Sequence, residues 1–186
     1  MAAFGVLGYE LELKFMDQVE LKEIKEQIEF YKKYRRTLQF GTFLRSDERK
    51  PNKVHWQVSS PDGSTHIVGH FQTLCSASDG YDELPVKNLE RDKKYRLSGK
   101  KQRIFIKRLG GLVKHVMPVE LDPNGFVLRT ANKLYAMNDR AEDYVCSGAV
   151  LMAGVKLNNQ FMGTGYNEEL HMLGDYGSAL YVIEKA

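Results

Sequence analysis

The sequence runs to 186 residues, 42% of them hydrophobic and 27% charged, the mix of an ordinary globular domain. That length is enough to bury a core but falls short of the about 250 residues of a complete (β/α)8 barrel. Its 27 basic and 24 acidic side chains leave a formal charge of +3, too small and too dispersed for a nucleic-acid binder.

The two cysteines, Cys75 and Cys146, build no disulfide framework. No apolar run approaches the roughly 18 residues of a membrane span, and the N-terminus has no basic-then-apolar leader. The expectation is a soluble, cytoplasmic chain with no nucleic-acid or membrane partner.

A helix comes first. Asp17, with Glu20 three positions on, makes a capping-box-like start. Leu21, Ile24, Ile28, Tyr31 and Leu38 recur at helical spacing on one stripe, with Glu23, Lys25, Glu26, Lys32 and Lys33 largely off it. Glu29 and Lys33 add a favourable i,i+4 pair, and Gly41 is the expected stop. The helix over 17–38 thus carries an apolar face that something must cover.

After Gly41 the period changes to two. Val54, Trp56 and Val58 alternate with His55 and Gln57, as in a half-buried strand. Pro61-Asp62-Gly63-Ser64 supplies a tight turn into a second run, Thr65 to Leu74, and the two read as a hairpin. Between 76 and 94 the sequence suggests one short strand around Leu84 to Val86. Ile104 and Ile106 mark another, ended by Gly110-Gly111.

Asp122-Pro123-Asn124-Gly125 fits a type I turn. Val145 to Leu157 reads as strand or buried helix, with Gly148 and Gly154 weighing against the helix. Ala179 to Ile183 is a continuous apolar run suited to a central strand. The expected fold is mainly β, an antiparallel β-sandwich preceded by one long amphipathic helix.

Candidate chemistry is sparse. His66 and His70 lie on a strand, where four steps separate them by about 13 Å, too far for one metal ion. The neighbouring acids Glu142 and Asp143, and Glu168 and Glu169, point to opposite faces of a strand. Neither pair makes an acid and a nucleophile about 5 Å apart across a sugar ring, and surface solvation is the expectation. Cys75 and Cys146 read as small hydrophobes. Gly163-Thr164-Gly165 lacks the third glycine and following helix of a dinucleotide fingerprint and reads as a turn.

Trp56, Phe161 and Tyr166 would suit a sugar-stacking platform, but the place of Trp56 in the alternation favours core packing. The basic clusters Lys32, Lys33, Arg35, Arg36 and Lys100, Lys101, Arg103 have acids nearby and read as solvated faces. No catalytic, cofactor-binding or metal-ligating residue is assigned.

Two blocks carry a resemblance. Phe4 to Leu13 (FGVLGYELEL) followed by Glu26 to Arg35 (EQIEFYKKYR) resembles the α-galactosidases of glycoside hydrolase family 36, in which a Gly-Tyr-Glu-Leu-Asp-Leu-like segment ends the catalytic barrel. Here Glu12 replaces the aspartate. Gly154 to Leu157, Gln160 to Asn167 and Gly174 to Ser178 resemble the closing strands of the bacterial enzymes. The likeness spans essentially the whole chain and is least distinctive over 76–115.

The resemblance implies that residues 1–40 are the end of the barrel with its last helix, and that 41–186 are the β-sandwich domain that follows. It also implies a parent enzyme that hydrolyses terminal α-galactosides with retention, using aspartates at mid-barrel strands. Trp56 is followed by Gln57-Val58-Ser59 and matches no Trp-x-x-Asp-like nucleophile motif, so no catalytic residue transfers and the chain alone is expected to be inactive. The implied partner of the helix at 17–38 is the catalytic barrel or a second copy. An autonomous carbohydrate-binding module and a small self-associating protein are the competing readings.

Overall fold

The computed structural model describes residues 2–16, 18–46, 52–74, 82–100, 103–104, 122, 125–134, 137–138, 142–157 and 176–186. Short 3-10 turns at Ala2–Phe4 and Leu13–Phe15 lead into helix α1, Gln18–Phe40. The expected cap, Asp17, lies outside the described residues. The expected stop is at Gly41, whose N–H donates to the Thr37 carbonyl at 2.8 Å. A Cβ on Gly41 would lie 2.5 Å from the carbonyl oxygens of both Ser59 and Thr37. Only a residue without a side chain lets the helix end this close to the sheet.

Among the described residues ten strands follow: β1 Thr42–Ser46, β2 Lys53–Ser59, β3 Thr65–Gln72, β4 Glu83–Leu84, β5 Lys94–Gly99, β6 Arg103–Ile104, β7 Met137–Asn138, β8 Asp143–Ser147, β9 Val155–Lys156 and β10 Ser178–Lys185. Two short helices, α2 Phe126–Leu134 and α3 Gly148–Ala153, are inserted among them. The main sheet has six strands in the order β1-β2-β3-β10-β5-β8, every neighbouring pair antiparallel, while β4 pairs with β9 and β6 with β7.

The hairpin expected around Pro61 to Ser64 is β2–β3. Gly63 takes φ 64°, and the Asp62 carboxylate accepts from Ser60 Oγ at 2.5 Å and from Ser64 N at 3.1 Å. Those bonds, the Ser60 hydroxyl first, hold the Asp62 carboxyl down at about 2.

The main sheet is covered on both faces. On one, Tyr34 and Leu38 of α1 bury against Ile67 and Val182, with Phe30 and Tyr31 partly covered. Trp56 joins this side, its ring centroid 4.9 Å from that of Phe71, 5.7 Å from Phe4 and 5.8 Å from Phe43. It packs rather than offering a stacking platform. Leu21, Ile24 and Ile28, in the first half of α1, remain only half-buried.

On the other face, Tyr95, Leu97, Tyr181 and Ile183 pack against Leu84 of β4 and Leu151 of α3 in one apolar cluster. The fold is therefore mainly antiparallel β, preceded by one long helix.

Three local expectations change. His55 and Gln57 are buried, whereas Val54 and Trp56 are half-buried; a strand covered on both faces has no solvent side. The segment Val145 to Leu157 is strand, then helix, then strand, as β8, α3 and β9. Ser147 caps α3, its hydroxyl accepting from Val150 N at 3.4 Å. The strand expected around Leu84 to Val86 is β4 at Glu83–Leu84. Ile106 and Gly110-Gly111 lie outside the described residues, and of the turn at Asp122 to Gly125 the described part is its closing bond, Gly125 N to Asp122 O at 2.9 Å.

Candidate functional site

The hairpin register gathers polar side chains on one face of β2 and β3. His55 stands opposite His70, Gln57 opposite Val68 and Ser59 opposite His66. Cross-strand partners share a face, so Lys53, His55, Gln57, Ser59, His66 and His70 form one row, all below a tenth exposed. This row faces Asp82 and the strand β4 that follows it. The Asp82 carboxylate bonds the Lys53 ammonium, and its other oxygen lies 3.7 Å from His70 Nε2. His70 Nδ1 meets His55 Nε2 at 2.5 Å.

Those contacts assign tautomers. A carboxylate beside Nε2 favours the proton there, which leaves His70 Nδ1 to accept from His55 Nε2–H. A second chain runs along the other end of the row. Gln57 exchanges both of its amide functions with the Lys87 backbone, at 2.9 and 2.7 Å, and donates to Ser59 Oγ at 3.1 Å. Ser59 Oγ meets His66 Nδ1 at 2.8 Å, and His66 Nε2 meets the Gly63 carbonyl at 3.2 Å.

A carbonyl only accepts, so the His66 proton sits on Nε2 and Nδ1 accepts from the serine. Burial, chiefly, pushes the His66 pKa down; the Gly63 bond opposes it.

This row does structural work. Its members are buried, and the Lys53–Asp82 and Gln57–Lys87 bonds tie the 82–87 segment to the β2–β3 hairpin. Asp82 extends the tie, its carbonyl accepting from Leu157 N at 2.8 Å.

The residues singled out in the sequence fall as follows. His66 and His70 share β3 but bond different partners. Glu142 is buried, at 2% exposure, and is not the solvated surface group expected. Asp143, next to it, is exposed and takes a bidentate pair from Arg96 at 2.8 and 2.7 Å. That guanidinium holds the Asp143 carboxyl below its usual range. The two adjacent acids thus differ sharply, one buried and the other exposed and paired with Arg96.

Cys146 is a free, half-buried thiol, and burial pushes its pKa up, away from nucleophilic reactivity. Lys32, Arg35 and Arg36 are solvated, but Lys100 is half-buried, contrary to expectation. Cys75, Lys101, Glu168, Glu169, Phe161, Tyr166 and Gly163 to Gly165 lie outside the described residues. Among the described residues no group of three or more metal-ligating side chains has the geometry to hold a metal ion. None of their helices is long and apolar enough to cross a membrane.

The sequence profile described as "Glycosyl hydrolase family 36 C-terminal domain" matches residues 53–183. The chain belongs to that family. Among its relatives, α-galactosidase AgaA of Geobacillus stearothermophilus is 34% identical over 100 residues, 53% of this chain and 14% of that enzyme. α-Galactosidase Mel36A of Lactobacillus acidophilus is 29% identical over 96 residues, 52% of this chain and 13% of that one.

Among solved structures, the α-galactosidase from Lactobacillus brevis superposes over 100% of this chain and 19% of its own, with TM-score 0.63 and 25% identity. AgaA superposes over 100% of this chain and 18% of its own, with TM-score 0.62 and 24% identity, a likeness of fold. This glycoside hydrolase family 36 C-terminal domain therefore spans under a fifth of the enzymes it matches. The interlocked polar row described above lies inside the matched span.

Proposed function

We propose that this chain serves as the C-terminal β domain of an α-galactosidase, with a structural role and no catalytic carboxylate of its own. The parent reaction is the hydrolysis of terminal α-galactosides, with retention, by a separate (β/α)8 barrel. The match of residues 53–183 to the C-terminal domain family carries the reading. Residues 1–40 belong with the barrel and 41–186 form the β domain. The half-buried Leu21, Ile24 and Ile28 are the surface the barrel covers. Cytoplasmic residence belongs to the same proposal and agrees with the free thiol of Cys146.

The test is a domain exchange. A relative such as AgaA, with its own C-terminal domain deleted, is assayed on p-nitrophenyl α-galactoside with and without residues 41–186 of this chain fused in its place. Activity restored by the fusion, with none from the chain alone, is the expected result. Turnover by the chain alone that disappears on substituting Glu142, Asp143, Glu168, Glu169 or Asp175 would overturn it, as would a fusion no better than the deletion.

A further inference from the structure

Two hollows, of about 230 and 360 Å³, lie between α1 and the ends of β5 and β10. Phe30 and Lys100 line both, forming the waist of a single cleft. The more enclosed hollow has Glu23 and Gln27 of α1 on one wall and Lys100, just after β5, on the other. Its polar groups are held in place. Tyr9 Oη donates to Gln27 Oε1 at 2.6 Å, and Gln27 Nε2 reaches Glu23 Oε1 at 3.5 Å. The neighbouring hollow is flanked by Lys33 and Glu29 of α1 and by Ser98 of β5.

The charge arrangement selects the ligand. Glu23, Phe30 and Lys100 all line the more enclosed hollow, so an anion meets a carboxylate there and a cation meets an ammonium. The Lys100 ammonium stands 5.9 Å from the Phe30 centroid, at the outer reach of a cation–π contact. Burial lowers its pKa, with Glu23 and Glu26 opposing, and a partly desolvated ammonium favours a ligand that offers acceptors.

A neutral ligand rich in hydroxyls satisfies both walls at once, donating to the carboxylate, accepting from the ammonium and laying C–H groups on Phe30. Both hollows sit near the lower limit of the roughly 300–1,000 Å³ of drug-sized pockets, so each suits one ring.

We infer that this cleft binds a neutral oligosaccharide, one sugar ring between Glu23 and Lys100 and the next beside Lys33 and Ser98. The inference stands apart from the proposed structural role. It needs no barrel, and a domain that fails to bind sugar can still restore activity in the fusion.

The test is a titration of the full 15N-labelled chain, followed by two-dimensional NMR, with raffinose as the neutral probe and citrate and spermidine as the charged ones. Saturable shifts near Gln27, Phe30 and Lys100 with raffinose alone are expected. Lys100→Met and the isosteric Glu23→Gln should each weaken raffinose binding about tenfold, the loss of one charge-assisted hydrogen bond, with the melting temperature retained. Absence of saturable shifts, a response confined to other residues, a stronger response to either charged probe, or unchanged affinity in both variants would overturn it.

Discussion

One face of the main sheet is two surfaces in one. On β2 and β3 it carries Lys53, His55, Gln57, Ser59, His66 and His70; on the adjoining β10 and β5 it carries Ala179, Tyr181, Ile183, Tyr95 and Leu97. Both halves are equally sealed from water, yet they are held by different physics. The apolar half is stabilised by area removed from water, which is non-directional and degrades gradually. The polar half repays its desolvation only while each donor meets its acceptor. Losing one partner there leaves another stranded.

The sharpest way to break the comparison is at the Lys53–Asp82 ion pair. Asp82→Ala leaves the Lys53 ammonium buried without its carboxylate and should cost about 4 kcal/mol, read from the urea unfolding midpoint. The double variant Lys53→Met, Asp82→Leu should recover most of that loss, because an apolar pair of similar volume needs no partner. A double variant as unstable as the single one would place the importance of Asp82 in its contact with His70 instead.

Leu97→Ala probes the other half. It is fully buried, and its truncation should cost about 3 kcal/mol, by the same amount at neutral and mildly acidic pH. The smallest effect separates the halves by pH. The folded His66 pKa is lowered by burial, so its contribution to stability is present above the unfolded value of about 6.5 and is lost as the pH falls through the lower folded value. The melting-temperature advantage of the native protein over His66→Gln should therefore narrow on going from about pH 7 to about pH 5. Parallel curves would show that the Gly63 bond offsets the burial and leaves the folded pKa of His66 unlowered.

The elements legible in the sequence were those with local signatures. Helix α1 follows from its 3.6-residue period and Gly41, the hairpin from Asp62-Gly63 between alternating runs, and the central position of β10 from Ala179 to Ile183. The polar row was hidden by an assumption. Alternation in β2 reads as one wet and one dry face, and only coverage of both faces buries His55 and Gln57. A signal was present, because the turn fixes the register and the register sets Ser59 against His66 and His55 against His70. Helix α3 escaped because its core is a glycine-flanked apolar stretch as compatible with strand as with helix, and its Ser147 cap becomes visible only in three dimensions. The cleft beside Lys100 joins residues from α1 and the end of β5, a juxtaposition that no local pattern encodes.

Strand β10 joins β1-β2-β3 to β5-β8, pairing with β3 on one side and β5 on the other. Its partner Phe71, opposite Ser178, lies far upstream. Among the described residues, the strand ladders of the two halves of the sheet meet only at β10. Chain closure over so long a loop is slow, so during synthesis the hairpin and the β5–β8 pair must wait as separate pieces with bare edges. Until β10 arrives, those unpaired edges are the aggregation-prone surfaces of the chain.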